Sequence, residues 1–462
     1  MKLNLCLILA LLVSINALKE YPDAHILLLN DDESSIDGIE LIEEPIFGAS
    51  YKNGVVRIIE GGTYIISGEL NGKLHITTGD KVVKLVLNGV TINSSINAIV
   101  FEDGFELIDV VIDKDPYVIR TFDFNKAGAQ IIIADDSINK LYGTEDGKKN
   151  GALFSNITLH ITGEENGSGK LYVNSQKEGI EVFKHICISG GYVNIAANDD
   201  GINSKTDYDS VIYIKGGKVF VNSGLGDEGD GIDGNGYIVI DGGQVISAAQ
   251  PNADSGLDSN KGTFVNGGIV YAVGTSMDMA EDESEQSTMN LIWEGEVGIN
   301  NTISVQDENG TEIIRYNPSE EEFIEGTLRR RYIAAIVSHP SFKEGNIYHI
   351  YMDGDLLGYT SNEKQGPFPP GPGPGPGPRP GPGPDPGPGP GPGPGPGPFP
   401  PEQSQNFKEL KQDNKIKKDF ILGKGAIFYS GIQKYDSSKN ISMNLKLSKI
   451  LMSLFSLILL TI

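Results

Sequence analysis

Acidic residues gather at glycine turns in the middle of this chain: Asp199-Asp200-Gly201-Ile202-Asn203, Asp230-Gly231-Ile232-Asp233 and Ser255-Gly256-Leu257-Asp258, with Asp227 and Asp254 close by. A hard cation such as Ca²⁺ takes about six to eight oxygen ligands from carboxylates, amides and backbone carbonyls, and these turns are rich in all three. Stacked in register, their carboxylates converge and repel one another at short range unless a cation lies between them. Asp-Gly is also an ordinary turn former chosen for backbone geometry, so the residues alone leave a metal site and a structural turn both open. No run fits an EF-hand loop. Lys205 and Lys261 follow the same turns. A lysine beside a bound cation suits a base for β-elimination at a uronate, or simply neutralises the carboxylates. Tyr208, Tyr213 and Tyr237 supply rings for stacking on sugars or for packing along a ladder. Cys187 sits in His185-Ile186-Cys187-Ile188 and reads as a small packed residue rather than a nucleophile.

The elements that must position these turns are short and β-branched, starting at Val55-Val56-Arg57-Ile58-Ile59 and separated by glycine turns. Gly-Gly pairs recur at 190–191, 216–217, 242–243 and 267–268, spaced by 26, 26 and 25 residues. Three of them follow similar strands, Ile186-Cys187-Ile188, Ile212-Tyr213-Ile214 and Ile238-Val239-Ile240. The acidic turns, together with Glu178-Gly179-Ile180-Glu181, form a second marker in phase with the first. Two markers at one period in the twenties predict stacked solenoid coils and exclude the nonapeptide Ca²⁺ roll. The prediction is an all-β, right-handed parallel β-helix over 51–288, the hand being that of most parallel crossovers. About nine coils at 4.8 Å each give a core some 40 Å long. The Ile or Leu after each glycine should form an inward ladder. The glycine should supply a positive φ at the corner, with the acids pointing outward. The spacing changes beyond Met289, so residues 289–362 are expected to be a β cap covering the exposed sheet edge.

Composition bounds the rest. The chain has 62 acidic against 37 basic residues and a net charge of −25, which repels nucleic acid and excludes that class of partner. Lys2 before the apolar run Leu3 to Val13 predicts a signal peptide over 1–17. An acidic lead-in follows over 18–50. Sequons at Asn93, Asn156, Asn166, Asn300, Asn309 and Asn440 suit a secretory route. With Cys6 in the signal peptide, Cys187 has no intramolecular partner, so stability must come from the solenoid core or from metal. Residues 366–401 hold 19 of the 25 prolines in Gly-Pro alternation, an extended spacer. A polar, lysine-containing stretch (402–449) leads to an apolar tail (450–462) too short to span a bilayer. Asp436 or Ser437, the polar stretch after it and the tail predict a glycolipid anchor; a retained membrane tail is the alternative. The expected location is therefore the cell surface, as a secreted, membrane-anchored monomer.

Gly61-Gly62-Thr63-Tyr64-Ile65-Ile66-Ser67-Gly68 and Val82-Val83-Lys84-Leu85-Val86-Leu87-Asn88-Gly89-Val90-Thr91-Ile92 resemble the first coils of a secreted carbohydrate-binding β-helix family. The Asp-Gly-Ile turns resemble its later coils. Val337-Ser338-His339-Pro340 with Lys343-Glu344-Gly345-Asn346-Ile347-Tyr348 is similar to its closing segment. The resemblance covers roughly 50–360. It implies binding of Ca²⁺ and of plant-type polysaccharides, acidic ones and cellulose, and kinship with Ca²⁺-dependent pectate lyases. Its implied Ca²⁺ ligands are Asp199, Asp200, Asn203, Asp230, Asp233, Asp254 and Asp258. The glutamates at Glu178 and Glu181, and Ser255 in place of an acid, depart from the pattern and mark those two turns as structural. The expected function is a non-catalytic, Ca²⁺-dependent polysaccharide-binding surface protein. A Ca²⁺-dependent lyase using Lys205 and Lys261 is the alternative, and a structural wall protein without ligand is another.

Overall fold

The computed structural model describes residues 21–31, 33–106, 111–114, 117–120, 123–143, 149–206, 210–250, 254–275, 278–298, 301–317, 331–362 and 416–436. The expected signal peptide, Tyr208, Asn300, the Gly-Pro spacer, Ser437, Asn440 and the apolar tail lie outside the described residues.

Among the described residues the chain is all-β, with one 3₁₀ turn at Phe124–Lys126 and no α-helix. Most strands pair in parallel with their counterparts one coil along, and this makes the body a β-solenoid. One coil shows the plan. Ile180–Val182 lies on a first face, His185–Ile188 on a second and Tyr192–Ala197 on a third, and the chain then turns back to the first at Ile202–Ser204. Each of these pairs with its equivalent in the next coil, Ile202–Ser204, Val211–Ile214 and Lys218–Asn222. The alternation of apolar residues explains the inside. Ile180, Val182, Ile186, Ile188, Val193, Ile195 and Ala197 all point into one continuous core and are fully buried. The predicted aliphatic ladder is present, with Ile180, Ile202, Ile232 and Leu257 stacked in register.

Glycine serves two different purposes here. The second glycine of each Gly-Gly pair (Gly191, Gly217, Gly243, Gly268) has φ near +80° and turns the chain between the second and third faces. The glycines of the acidic turns do not, which corrects the expectation of positive φ there. Gly201 and Gly231 are required for clearance instead. A Cβ on Gly231 would stand 2.0 Å from Ser247 Oγ and 2.2 Å from the Gly256 carbonyl oxygen.

The acidic lead-in is built into the fold, since His25–Leu29 pairs in parallel with the first half of Gly62–Asn71. At the other end the pairing changes direction. Arg331–Ser338 runs antiparallel to Ile269–Gly274 and to Thr288–Gly298. Ala426–Lys434, from the stretch expected only to be polar, returns to pair in parallel with Thr288–Gly298. These strands bury Trp293, Tyr332 and Tyr429 together with Phe220, Ile246 and Tyr271 on the outer side of the third face.

Candidate functional site

The acidic turns connect the third face to the first, and the first face carries their downstream residues. Strand register places Glu181, Asn203, Asp233 and Asp258 in one column, each opposite the next. A second column, Glu178, Asp200, Asp230 and Ser255, precedes the stacked glycines. Its register is set by Gly179 N–H donating to the Asp200 carbonyl, Gly201 N–H to that of Asp230 and Gly231 N–H to that of Ser255. The structure therefore brings together Asp200, Asn203, Asp230, Asp233 and Asp258, with Asp199 and Asp254 at the margin.

These acids are half-buried rather than turned fully outward, which corrects the expectation drawn from their place in turns. The reason is that their carboxylates accept backbone N–H groups across the coil junctions. Asp230 N–H donates to Asp200 Oδ1 at 2.8 Å, Ser255 N–H to Asp230 Oδ1 at 2.5 Å and Gly229 N–H to Asp254 Oδ2 at 2.8 Å. Asn203 Nδ2 spans the columns, donating to Asp200 Oδ2 at 2.6 Å and to Asp233 Oδ2 at 3.0 Å. Asn203 Oδ1 is buried with no hydrogen-bond partner among the described residues.

Crowding carboxylates in a half-buried groove raises their affinity for protons. Burial foremost, then the charges of Asp200 and Asp258, push Asp233 from the ordinary 3.8 up to about 8. Burial pushes Asp200 up to about 6 and Glu178 up to about 7. Asp230 and Asp278 are raised as well, mainly by burial and then by interaction with Asp258. Asp278 is the acid that the sequence did not flag. It lies beyond the last Gly-Gly strand, where the period breaks, so no repeat marks it. Its Oδ2 accepts Ser259 N–H at 3.3 Å.

The donor set is oxygen throughout, as Ca²⁺ requires, and the unpaired Asn203 Oδ1 among carboxylates suits such an ion. Among the described residues no three acidic, histidine or cysteine side chains already converge into a metal cage.

The other candidates are dispersed. Lys205 forms an ion pair with Glu181, which is fully buried and also accepts Gly151 N–H at 2.9 Å. Glu181 is thus engaged in contacts within the fold. Lys261 is exposed at the start of Gly262–Val265, on the second face. Tyr213 is also on the second face, half-buried, with its hydroxyl donating to Asp241 and its ring 5.8 Å from Phe124. Tyr237 is only 6% exposed and packs against Phe264, so it is not open for stacking on a sugar. Burial pushes the Cys187 thiol up to about 12, leaving no thiolate to react. Asn93, Asn166 and Asn309 are exposed, whereas Asn156 is half-buried with Nδ2 donating to the Glu102 carbonyl at 3.0 Å.

Residues 52–311 match a protein family described as "carbohydrate-binding domain-containing protein". Among solved structures the chain is similar to a polysaccharide lyase-like protein from C. thermocellum, studied as a gadolinium derivative. The identity is 21% and the TM-score 0.34, over 53% of this chain and 92% of that one. No curated protein matches the chain.

Proposed function

Because the chain belongs to the family of carbohydrate-binding domain-containing proteins, we propose that it is a non-catalytic polysaccharide-binding protein whose binding depends on Ca²⁺ held along the acidic turns. The observation that carries the Ca²⁺ dependence is the pair of in-register columns, in which half-buried carboxylates face one another across coil junctions and partial burial, then like charge, raise their proton affinity. Asp200, Asn203, Asp230, Asp233 and Asp258 are the residues that would hold the ion, with Asp199 and Asp254 supporting from the margin. The ion would neutralise the columns and offer positive charge to sugar carboxylates or hydroxyls. The polymer would be acidic pectin-like glycan or cellulose.

The remaining expectations complete this reading. The coils are right-handed and residues 289–362 cap them. The protein is secreted and glycosylated, carries a C-terminal lipid anchor and displays the solenoid at the cell surface through the Gly-Pro spacer. The non-catalytic reading is favoured over a lyase by Lys205, which the buried Glu181 carboxylate holds in an ion pair. A lysine so engaged is not free to reach a substrate proton.

The test is depletion of the full chain from solution by insoluble cellulose and by pectate gel, with Ca²⁺ and with excess EDTA. Loss of protein from the supernatant in Ca²⁺ and its return with EDTA is the expected result. Retention unchanged by EDTA would remove the cation from the account, and ultraviolet-absorbing unsaturated product would reinstate the lyase.

A further inference from the structure

The column that ends in acids begins in bases. Followed toward the N-terminus along the first face, Glu181 stands opposite Phe154, Phe154 opposite Val100, Val100 opposite His75 and His75 opposite Arg57. At this basic end a cleft of about 240 Å³ opens on the surface, lined by Lys73, His75, Ile96, Asn97, Glu102 and Lys149 among others. Among the lining residues Lys73 and Lys149 set two positive charges against the carboxylate of Glu102, with Arg57 opposite His75 on the adjoining strand, in a chain whose net charge is −25.

The cleft is a held arrangement. Asn97 is buried, and its Nδ2 donates to the Lys149 carbonyl at 3.1 Å and the Gly151 carbonyl at 2.6 Å, which fixes the backbone that carries Lys149. The Lys149 ammonium pairs with Glu102 and lies 4.8 Å over the ring of Phe154. His75 Nε2 meets the same Glu102 Oε2 at 3.3 Å. Ile96 is exposed and gives the cleft one apolar wall. Burial foremost, then the charges of Lys73 and Arg57, hold the His75 pKa below its ordinary value in spite of Glu102. An anion in the cleft would offset those charges. The volume lies below the roughly 300–1,000 Å³ of drug-sized pockets, which suits one sugar ring rather than a chain.

We propose that this cleft is a subsite for a single sugar unit bearing an anionic group, carboxylate or sulfate, held by Lys73 and Lys149 with Glu102 accepting from a ring hydroxyl. The proposal rests on the carbohydrate-binding reading but places this contact nearer the N-terminal end of the first face than Asp200, Asn203, Asp230, Asp233 and Asp258. An acidic polymer repelled by most of the surface would find its favourable charge here.

The test follows the imidazole signals of the full chain by NMR, with His75→Gln assigning the His75 resonance. Galacturonic acid, a sulfated galactose and galactose are titrated in turn. The expected result is a saturable shift of the His75 signal with the anionic sugars and none with galactose. Equal response to carboxylate and sulfate assigns the subsite to charge alone, and response to only one of them names its source. Lys73→Ala and Lys149→Ala should each weaken the response roughly tenfold, the loss of one charge-assisted hydrogen bond. Lys218→Ala, exposed on the third face, should leave it unchanged. Silence of His75 toward every anionic sugar overturns the proposal. Polysaccharide depletion that survives alongside such silence would leave the carbohydrate-binding reading standing without this subsite. A His75 response without depletion by any polymer would do the reverse.

Discussion

Glu181 and Asp233 occupy neighbouring positions of one column but answer to different physics. Glu181 is fully buried and its charge is held by Lys205 and by backbone N–H groups. Removing only the lysine leaves that charge without its counterion. Lys205→Met should therefore destabilise the fold by about 3–5 kcal/mol, measured by denaturant unfolding, and Glu181→Gln in the same chain should restore most of the loss. Among the described residues no cation pairs with Asp233, and burial and like charge raise its carboxyl to about 8. Folded protein then keeps a proton that the unfolded chain releases above its ordinary 3.8. The stability this contributes is present at low pH and is lost as pH rises from about 4 toward 8. Chelator-stripped protein should melt at progressively lower temperature across that window. Asp233→Asn should flatten the slope and raise the melting point at pH 8 by about 2–4 °C. Ca²⁺ should reverse the trend, since its ligands must be deprotonated. A stripped protein that grows more stable toward pH 8 would refute the assignment.

At the scale of elements, the acidic turns are set by clearance. Gly231→Ala would drive a methyl into Ser247 Oγ and the next coil's carbonyl, a backbone contact that cannot yield cheaply. It should cost about 1–3 kcal/mol, read as a lower denaturant midpoint, whereas Gly310→Ala meets no atom within 4 Å but pays for its φ of +82°. The stacked strands and the Ile–Leu ladder were legible in the sequence because two markers repeat in phase, and a repeat fixes register. The half-burial of the acids was not legible. It depends on their carboxylates capping N–H groups one coil away, and alternation along a single strand says nothing of that. Asp278 lay past the last repeat. The basic end was hidden for a related reason: Arg57, Lys73 and Lys149 come from early coils without the Gly-Gly marker, and only the pairing of their strands assembles them.

At the scale of the molecule, the first face is graded from Arg57 toward one end to Asp258 at the other, over eight strands. A polymer lying along that face would meet fixed cationic side chains first and metal-dependent contacts last. Depletion by pectate should therefore be lost with EDTA, and the depletion seen in Ca²⁺ should also weaken as salt screens the cationic side chains. The most direct test of the central claim is calorimetric titration of Ca²⁺ into the chelator-stripped full chain, beside Asp200→Asn/Asp233→Asn. The expected result is saturable binding that strengthens from pH 5 to pH 8, releases protons and is abolished in the double variant. Absence of saturable binding to the wild-type chain, or equal binding by the variant, would contradict it.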